Sequence, residues 1–268
     1  WLTQGPAVEN FEDVVGNYCG ADHAVAMNSA TSALHLACRA LALGPGDVMW
    51  TSPITFVASA NAALYCGAAV DFVDIDERTY NMSISALSAK LETAKIAGTL
   101  PKIVMPVHFA GQSCDMQDIH RLAEEYGFSV VEDASHAIGG RYLGQPVGNC
   151  VYSSITVFSF HPVKIVTTGE GGMAMTNDAE LAERMRLLRS HGVTRDPSRL
   201  RGTPHGPWYY EQVDLGFNYR LTDIQAALGA SQMRRIDSFV QGRHAIADRY
   251  NQALADLPLI LPWQNPDA

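Results

Sequence analysis

A lysine, an acidic strand end and a Ser/Thr-rich helix start are the residues whose types and spacing suit chemistry. Lys164 follows a buried-looking strand in Val157-Phe158-Ser159-Phe160-His161-Pro162-Val163-Lys164. A lysine held in a partly desolvated turn keeps more of its amine neutral, and a neutral amine condenses with an aldehyde to a Schiff base. Alone, such a lysine reads equally as a solvated loop residue. Asp133 closes the run Phe128-Ser129-Val130-Val131-Glu132. A carboxylate there can pair with a protonated pyridine nitrogen and keep that ring an electron sink, or simply cap the next turn. His136 either hydrogen-bonds a phenolic oxygen on the same ring or is a partly buried surface histidine. Thr31 and Ser32 open a helix just after a strand, in Asn28-Ser29-Ala30-Thr31-Ser32. Amide groups and the positive end of the helix dipole make such a start an anion site fit for a phosphate, although ordinary N-capping uses the same residues. Ser159 can add a hydroxyl to that phosphate. Phe56, in Thr55-Phe56-Val57, either stacks on a flat ring or is plain core.

These residues need a scaffold that gathers them. Seven apolar runs, at 24–27, 48–51, 69–73, 103–107, 129–131, 154–158 and 172–176, read as strands. Most are separated by helical patterns, including 55–66, 83–91 and 116–126. Alternation of this kind predicts a three-layer α/β/α sandwich on a mainly parallel seven-stranded sheet. In such a sheet ligands bind beyond the carboxyl ends of the strands, which is where 29–32, 53–56, 132–136 and 159–164 fall. Residues 192–215 read as a polar loop carrying Trp208-Tyr209-Tyr210, suited to stacking on a nucleotide base or to packing at a dimer interface. The pattern over 222–257 predicts one or two helices with a break near Gly242. The expected organisation is an N-terminal helical segment over 1–20, a ligand-binding large domain over 21–235, and a helix over 236–268 leading to a further small domain. The opening Trp1-Leu2-Thr3 and the ending Pro266-Asp267-Ala268 read as the bounds of a piece of a longer protein.

Composition narrows the partners. The formal charge of -9 and pI near 5.4, with no Lys/Arg-rich run, argue against a nucleic-acid or anionic-membrane binder. No apolar run reaches the ~18 residues of a membrane helix. Five scattered cysteines, none in a Cys-x-x-Cys pair, predict free thiols in a reducing, cytoplasmic setting. His108, Cys114 and His120 fit no zinc spacing, so no metal is expected. Gly169-Glu170-Gly171-Gly172 lacks the lysine and spacing of a P-loop and reads as a sharp turn into a strand.

With these motifs in order, the chain resembles the sugar aminotransferases of the DegT/DnrJ/EryC/StrS type, within the aspartate-aminotransferase (fold type I) group. The likeness rests on Asn28-Ser29-Ala30-Thr31-Ser32-Ala33-Leu34, Glu132-Asp133-Ala134-Ser135-His136-Ala137 and Ser159-Phe160-His161-Pro162-Val163-Lys164. Thr167-Thr168-Gly169-Glu170-Gly171-Gly172 and Asn218-Tyr219-Arg220-Leu221-Thr222-Asp223 complete it. The resemblance implies pyridoxal 5'-phosphate (PLP) as cofactor, carried by Lys164, with Asp133 at the pyridine nitrogen and Phe56 at the stacking position. It implies phosphate contacts from Thr31, Ser32 and Ser159. Asn218 would reach a neighbouring subunit's phosphate site, so a homodimer with shared active sites is implied. The implied partners are a nucleotide-sugar substrate and an amino-acid donor, glutamate by family likeness. The wording around Lys164 is most similar to the branch that aminates C4 of a UDP-linked 4-keto-6-deoxy-N-acetylhexosamine on the way to pseudaminic acid. GDP- or dTDP-linked keto-sugars and a catalytically silent scaffold are the alternatives. Dehydratases on the same fold carry histidine in place of the lysine, which Lys164 opposes.

Overall fold

Local chemistry sets the element ends. The computed structural model describes residues 2–268; Trp1, in the expected 1–20 segment, lies outside the described residues. Pro6 starts α1 (Pro6–Cys19), and Gly20 ends it with φ +78°, a left-handed cap that glycine adopts without strain. Then follow β1 (His23–Met27), α2 (Ala30–Ala40), β2 (Val48–Thr51), α3 (Val57–Tyr65), β3 (Ala69–Phe72), α4 (Ile84–Ala97), β4 (Ile103–Met105), α5 (Met116–Tyr126) and β5 (Ser129–Asp133). A small hairpin of β6 (Arg141–Tyr142) and β7 (Gln145–Pro146) leads to β8 (Ile155–Ser159), β9 (Gly172–Thr176) and α6 (Ala179–Arg189). The short strands β10 (Val193–Thr194) and β11 (Glu211–Gln212) pair with each other, and α7 (Asp223–Met233) and α8 (Ile236–Leu254) follow.

The main sheet has seven strands in the order β1-β9-β8-β5-β4-β2-β3. β9 runs antiparallel to both of its neighbours, and the remaining pairings are parallel. Side chains alternate between the faces, as strand geometry requires. Met27, Met49, Met105, Val131 and Val157 join the helices α2, α3 and α6 in one core. Phe158, Met173 and Met175 join α1 and α7 in a second, while Trp50, Val104 and Val130 pack with α4 and α5 in a third. Three layers result, as the alternation of strand and helix patterns predicts.

Several boundaries move. The strand expected over 129–131 continues to Asp133, and the one expected over 154–158 shifts to Ile155–Ser159. The long C-terminal pattern breaks at Arg234 and Arg235, between α7 and α8, and continues through Gly242. An exposed glycine costs a helix only about 1 kcal/mol, so Gly242 does not end α8, while Gly229 lets α7 pack closely on Phe11 of α1. The 192–215 loop is tied at its ends by β10 and β11. Among the described residues no helix is long and apolar enough to cross a membrane.

β9 enters the sheet where no side chain fits. Gly172 pairs with Met27 on one side and Ser159 on the other, and a Cβ there would lie 2.4 Å from the Ala30 nitrogen and the Ser29 carbonyl carbon. Both are backbone atoms that cannot turn aside. Gly172→Ala is therefore expected to destabilise the protein by ~1–3 kcal/mol, read from urea unfolding; an unmoved midpoint would show that β9 and the start of α2 do not meet this closely.

Candidate functional site

The carboxyl ends of β1, β2, β5 and β8 lie along one edge of the sheet, and the residues singled out by chemistry collect there. Asp133, the last residue of β5, is 5 % exposed. A carboxylate so placed must have donors in place of water, and it has three. Ser59 Oγ donates to Oδ2 at 2.6 Å, while the Ser135 hydroxyl and amide donate to Oδ1 at 2.6 and 3.2 Å. Ser59 is fully buried on the first turns of α3, beside Phe56 at the N-cap of that helix. Phe56 is 74 % exposed, so its ring lines the open edge and does not serve as core.

Lys164 lies in the segment 160–171 that joins β8 to β9. The base of this loop is closed by the Phe160 amide donating to Gly171 O (2.9 Å) and the Thr168 amide donating to Phe160 O (3.0 Å). Phe160 and Val166 are fully buried, and Phe160 packs against Phe11 of α1 at 5.0 Å between ring centroids. A rigid frame thus carries a short turn in which the Lys164 amide donates to His161 O at 2.9 Å. Burial pushes the Lys164 ammonium below its ordinary pKa, and the charge of Asp133 opposes that shift without cancelling it. His136 is likewise lowered by burial and by Lys164, against Asp133. These three groups therefore share one electrostatic environment. His136 Nδ1 is buried with no hydrogen-bond partner among the described residues, and so is Ser52 Oγ just beyond β2.

At the start of α2, Ser29 caps the helix by accepting from the Ser32 amide at 3.1 Å. Ser32 Oγ donates to Asn28 Oδ1 at 2.6 Å, so this buried serine holds the turn in shape. The Ala30 and Thr31 amides lie in the first turn, where a helix has no acceptors of its own, and Thr31 is half-buried. Ser159 ends β8, is 6 % exposed and pairs in register with Gly172 beside this turn. Asn218 has an exposed side chain, and its carbonyl accepts a long 3.5 Å bond from Asn28 Nδ2. The edge thus unites Lys164, Asp133, His136, Ser159, Thr31, Ser32 and Phe56, with the Asn218 backbone alongside.

Ser59, Ser135 and Ser52 were missed by the sequence reading. Ser135 stood within the 132–137 motif, but Ser59 and Ser52 carry no local signal; only folding brings Ser59 of α3 to Asp133 and buries Ser52 beyond β2. Of the residues weighed for a metal, His108 is buried and hydrogen-bonded to Glu132 at 2.7 Å, whereas His120 lies on the outside of α5 near Glu124. Among the described residues no group of three ligating side chains is placed to hold a metal ion.

A parallel sheet whose carboxyl edge presents a lysine, a hydrogen-bonded aspartate and a helix start defines a PLP-dependent enzyme of fold type I. The chain belongs to the DegT/DnrJ/EryC1/StrS aminotransferase family, whose model matches residues 1–268. The aminotransferases of this family depend on PLP. The chain is 43 % identical over its whole length to the spore coat polysaccharide biosynthesis protein SpsC of Bacillus subtilis, covering 67 % of that protein. It is also 43 % identical to GDP-perosamine synthase of Caulobacter vibrioides, with 96 % of this chain and 64 % of that one aligned. Among solved structures it is similar to Helicobacter pylori PseC, an aminotransferase involved in the biosynthesis of pseudoaminic acid. That likeness has a TM-score of 0.85 at 34 % identity over 96 % of this chain and 65 % of PseC. The chain thus spans about two thirds of the length of these relatives.

The site's donor set fits PLP. The edge offers an unpartnered imidazole nitrogen, a hydroxyl-bearing helix start, a carboxylate held at both oxygens and an amine of lowered basicity, groups of the kind that a pyridine ring bearing a phosphate and an aldehyde would need. Two outcomes follow. Ser59→Ala should cost ~1.5–3 kcal/mol of stability, since it takes a hydrogen bond from a buried carboxylate; an unchanged unfolding curve at pH 7 would mean that Asp133 does not depend on it. Because a lowered pKa leaves more neutral amine at any given pH, Lys164 should condense with PLP at a lower pH than free lysine does. Absorbance titration across pH would show it, and a profile matching free lysine would contradict the buried placement.

Proposed function

We propose that the protein to which this chain belongs is a PLP-dependent nucleotide-sugar aminotransferase. It moves the amino group of an amino acid, glutamate by family likeness, to C4 of a nucleotide-linked 4-keto-6-deoxy sugar. The observation that carries this reading is the meeting of Lys164 and Asp133 at one sheet edge, with the lysine's basicity lowered by burial. When bound, PLP supplies an electron sink that acidifies a C–H bond next to the attached nitrogen.

The chain's own residues divide the remaining work. Lys164 would hold the aldehyde carbon through its amine, the aldehyde oxygen leaving as water, and, once the donor amine had displaced it, would be the base that takes and returns the proton of the donor's α-carbon. Asp133, its orientation set by Ser59 and Ser135, pairs with the pyridine N–H. His136, kept neutral by burial and by Lys164, donates to the phenolic oxygen. Thr31, Ser32 and Ser159 hold the phosphate at the start of α2, where the helix dipole favours a negative charge. Phe56 covers a face of the ring. Asn218 reaches the phosphate site of a second copy, and the exposed Val57, Leu64 and Tyr65 on α3 support an apolar homodimer contact.

For the sugar, a UDP-linked N-acetylhexosamine of the pseudaminic acid route is the reading we favour. The wording of the Lys164 motif and the likeness to PseC support it. The five cysteines, all free and buried, suit a cytoplasmic enzyme. Domain bounds of 21–235 for the PLP-binding part, with 1–20 before it and 236–268 leading into a small C-terminal domain, complete the proposal. Lys164→Ala in the full-length protein should remove both the visible absorbance of lysine-bound PLP and transamination; a variant with full turnover refutes the assignment. UDP-, GDP- and dTDP-linked 4-keto sugars assayed side by side with glutamate should show turnover preferring the UDP-linked substrate, and preference for another nucleotide would overturn that choice.

A further inference from the structure

Behind Asp133 lies a second polar cluster that the reaction as described does not use. Adjacent residues of a strand point to opposite faces, so Glu132 turns away from the site edge into the interior. It is 5 % exposed, and its neighbour His108 is fully buried. Glu132 Oε2 accepts from His108 Nε2 at 2.7 Å, and Oε1 accepts from Ser153 Oγ at 2.5 Å and Thr156 Oγ at 2.7 Å. Although burial alone would raise this carboxyl's pKa, these donors hold it below its ordinary value.

His108 is bound on every side. The Cys114 amide donates to its Nδ1 at 3.1 Å. Burial opposes a charge on this ring, while Cys114 and Glu132 favour one and raise its basicity. An N–H faces a protonated Nδ1 poorly. The net electrostatic effect raises the ring's pKa to about 10, but the amide facing Nδ1 favours the neutral tautomer, and in either state Nε2 carries a proton aimed at Glu132. The His108 backbone also takes part: its N–H donates to the Asp133 carbonyl at 3.1 Å, while the Asp133 N–H donates to Pro106 O at 2.9 Å. One residue therefore grips the end of β5 twice, by its amide at Asp133 and by its ring at Glu132.

We infer that His108 is a positioning residue for Asp133, fixing the end of β5 through Glu132 so that the aspartate keeps the orientation that pairing with a pyridine N–H would require. The inference rests on the PLP reading for its consequence but not for its geometry. With the ring donor removed, the buried Glu132 carboxylate must find another partner, and the strand end turns to supply one. Asp133 then leaves the alignment that Ser59 and Ser135 define. The Nε2–H donor is what matters, so glutamine, whose amide reaches about as far, should replace histidine.

The test uses the full-length protein with His108→Leu, His108→Gln and, as a control in the same core, Leu91→Ala on α4. Two quantities are read at a temperature where all variants are folded: the PLP dissociation constant by absorbance, and hydrogen exchange over residues 130–136 without PLP. His108→Leu should weaken PLP about tenfold or more and speed exchange over 130–136, and His108→Gln should restore both. Leu91→Ala should leave both near wild type despite lower stability. Unchanged affinity and exchange in His108→Leu, failed rescue by glutamine, or an equal loss in Leu91→Ala overturns the inference. Should His108→Leu not fold, Thr156→Val removes one of the Glu132 donors and is expected to shift both quantities the same way, with no shift counting against the proposal. If the wild-type protein itself binds no PLP, the proposed function fails, while the exchange measurement still decides the role of His108.

Discussion

A carboxylate at the end of a buried strand is the constraint around which this site is arranged. Taking Asp133 out of water is costly unless donors replace its hydration; two serines supply them to the carboxylate, and a third contact holds its backbone. Ser135 follows in the chain, Ser59 arrives from α3, and the amide of His108 holds the adjoining carbonyl. Their joint effect is orientation. An aspartate with both oxygens engaged has little freedom to turn, which is what pairing with a ring nitrogen at a fixed place demands. Glu132 faces the same difficulty on the opposite side of β5 and is satisfied by a separate set of donors. Two adjacent buried carboxylates are tolerable because the strand separates them and each has its own partners.

The reversed strand β9 brings the lysine to this carboxylate. Two parallel neighbours need a long crossover, whereas antiparallel ones accept a short return. Since β9 runs against β8, residues 160–171 suffice to turn the chain at the carboxyl edge, and Lys164 is carried on that turn. The same reversal places Gly172 between Met27 and Ser159, so the start of α2 is pressed against the β8–β9 junction. Amine, carboxylate and phosphate-type helix start are thereby brought to one edge from segments far apart in sequence. Partial burial at that edge lowers the basicity of Lys164 and of His136 together, which favours a reactive amine and a neutral imidazole.

Amino-group transfer and sugar choice draw on different parts of such a molecule. The groups that would hold and activate a cofactor sit on rigid strand ends and helix starts. The exposed aromatics Trp208 and Tyr210, by contrast, lie on the loop between β10 and β11, where length and side chains can change without disturbing the sheet.

Local rules made much of this legible beforehand. Pro6 and Gly20 mark the ends of α1 and Gly127 stops α5, because such signals act within a few residues, whereas the cap of α2 falls on Ser29 and leaves Thr31 and Ser32 inside the first turn. Alternating strand and helix patterns imply a parallel sheet, and a parallel sheet implies that Lys164, Asp133, Thr31 and Ser159 stand at the same edge. The remainder depended on which strand lies beside which. The placing of β9 between β1 and β8, the approach of Ser59 to Asp133 and the grip of His108 on Glu132 join segments distant along the chain, and no local pattern encodes them. The break between α7 and α8 falls at Arg234 and Arg235 rather than near Gly242, and the contacts with α1 on either side of it, at Gly229 and Asp237, exist only once the chain has folded.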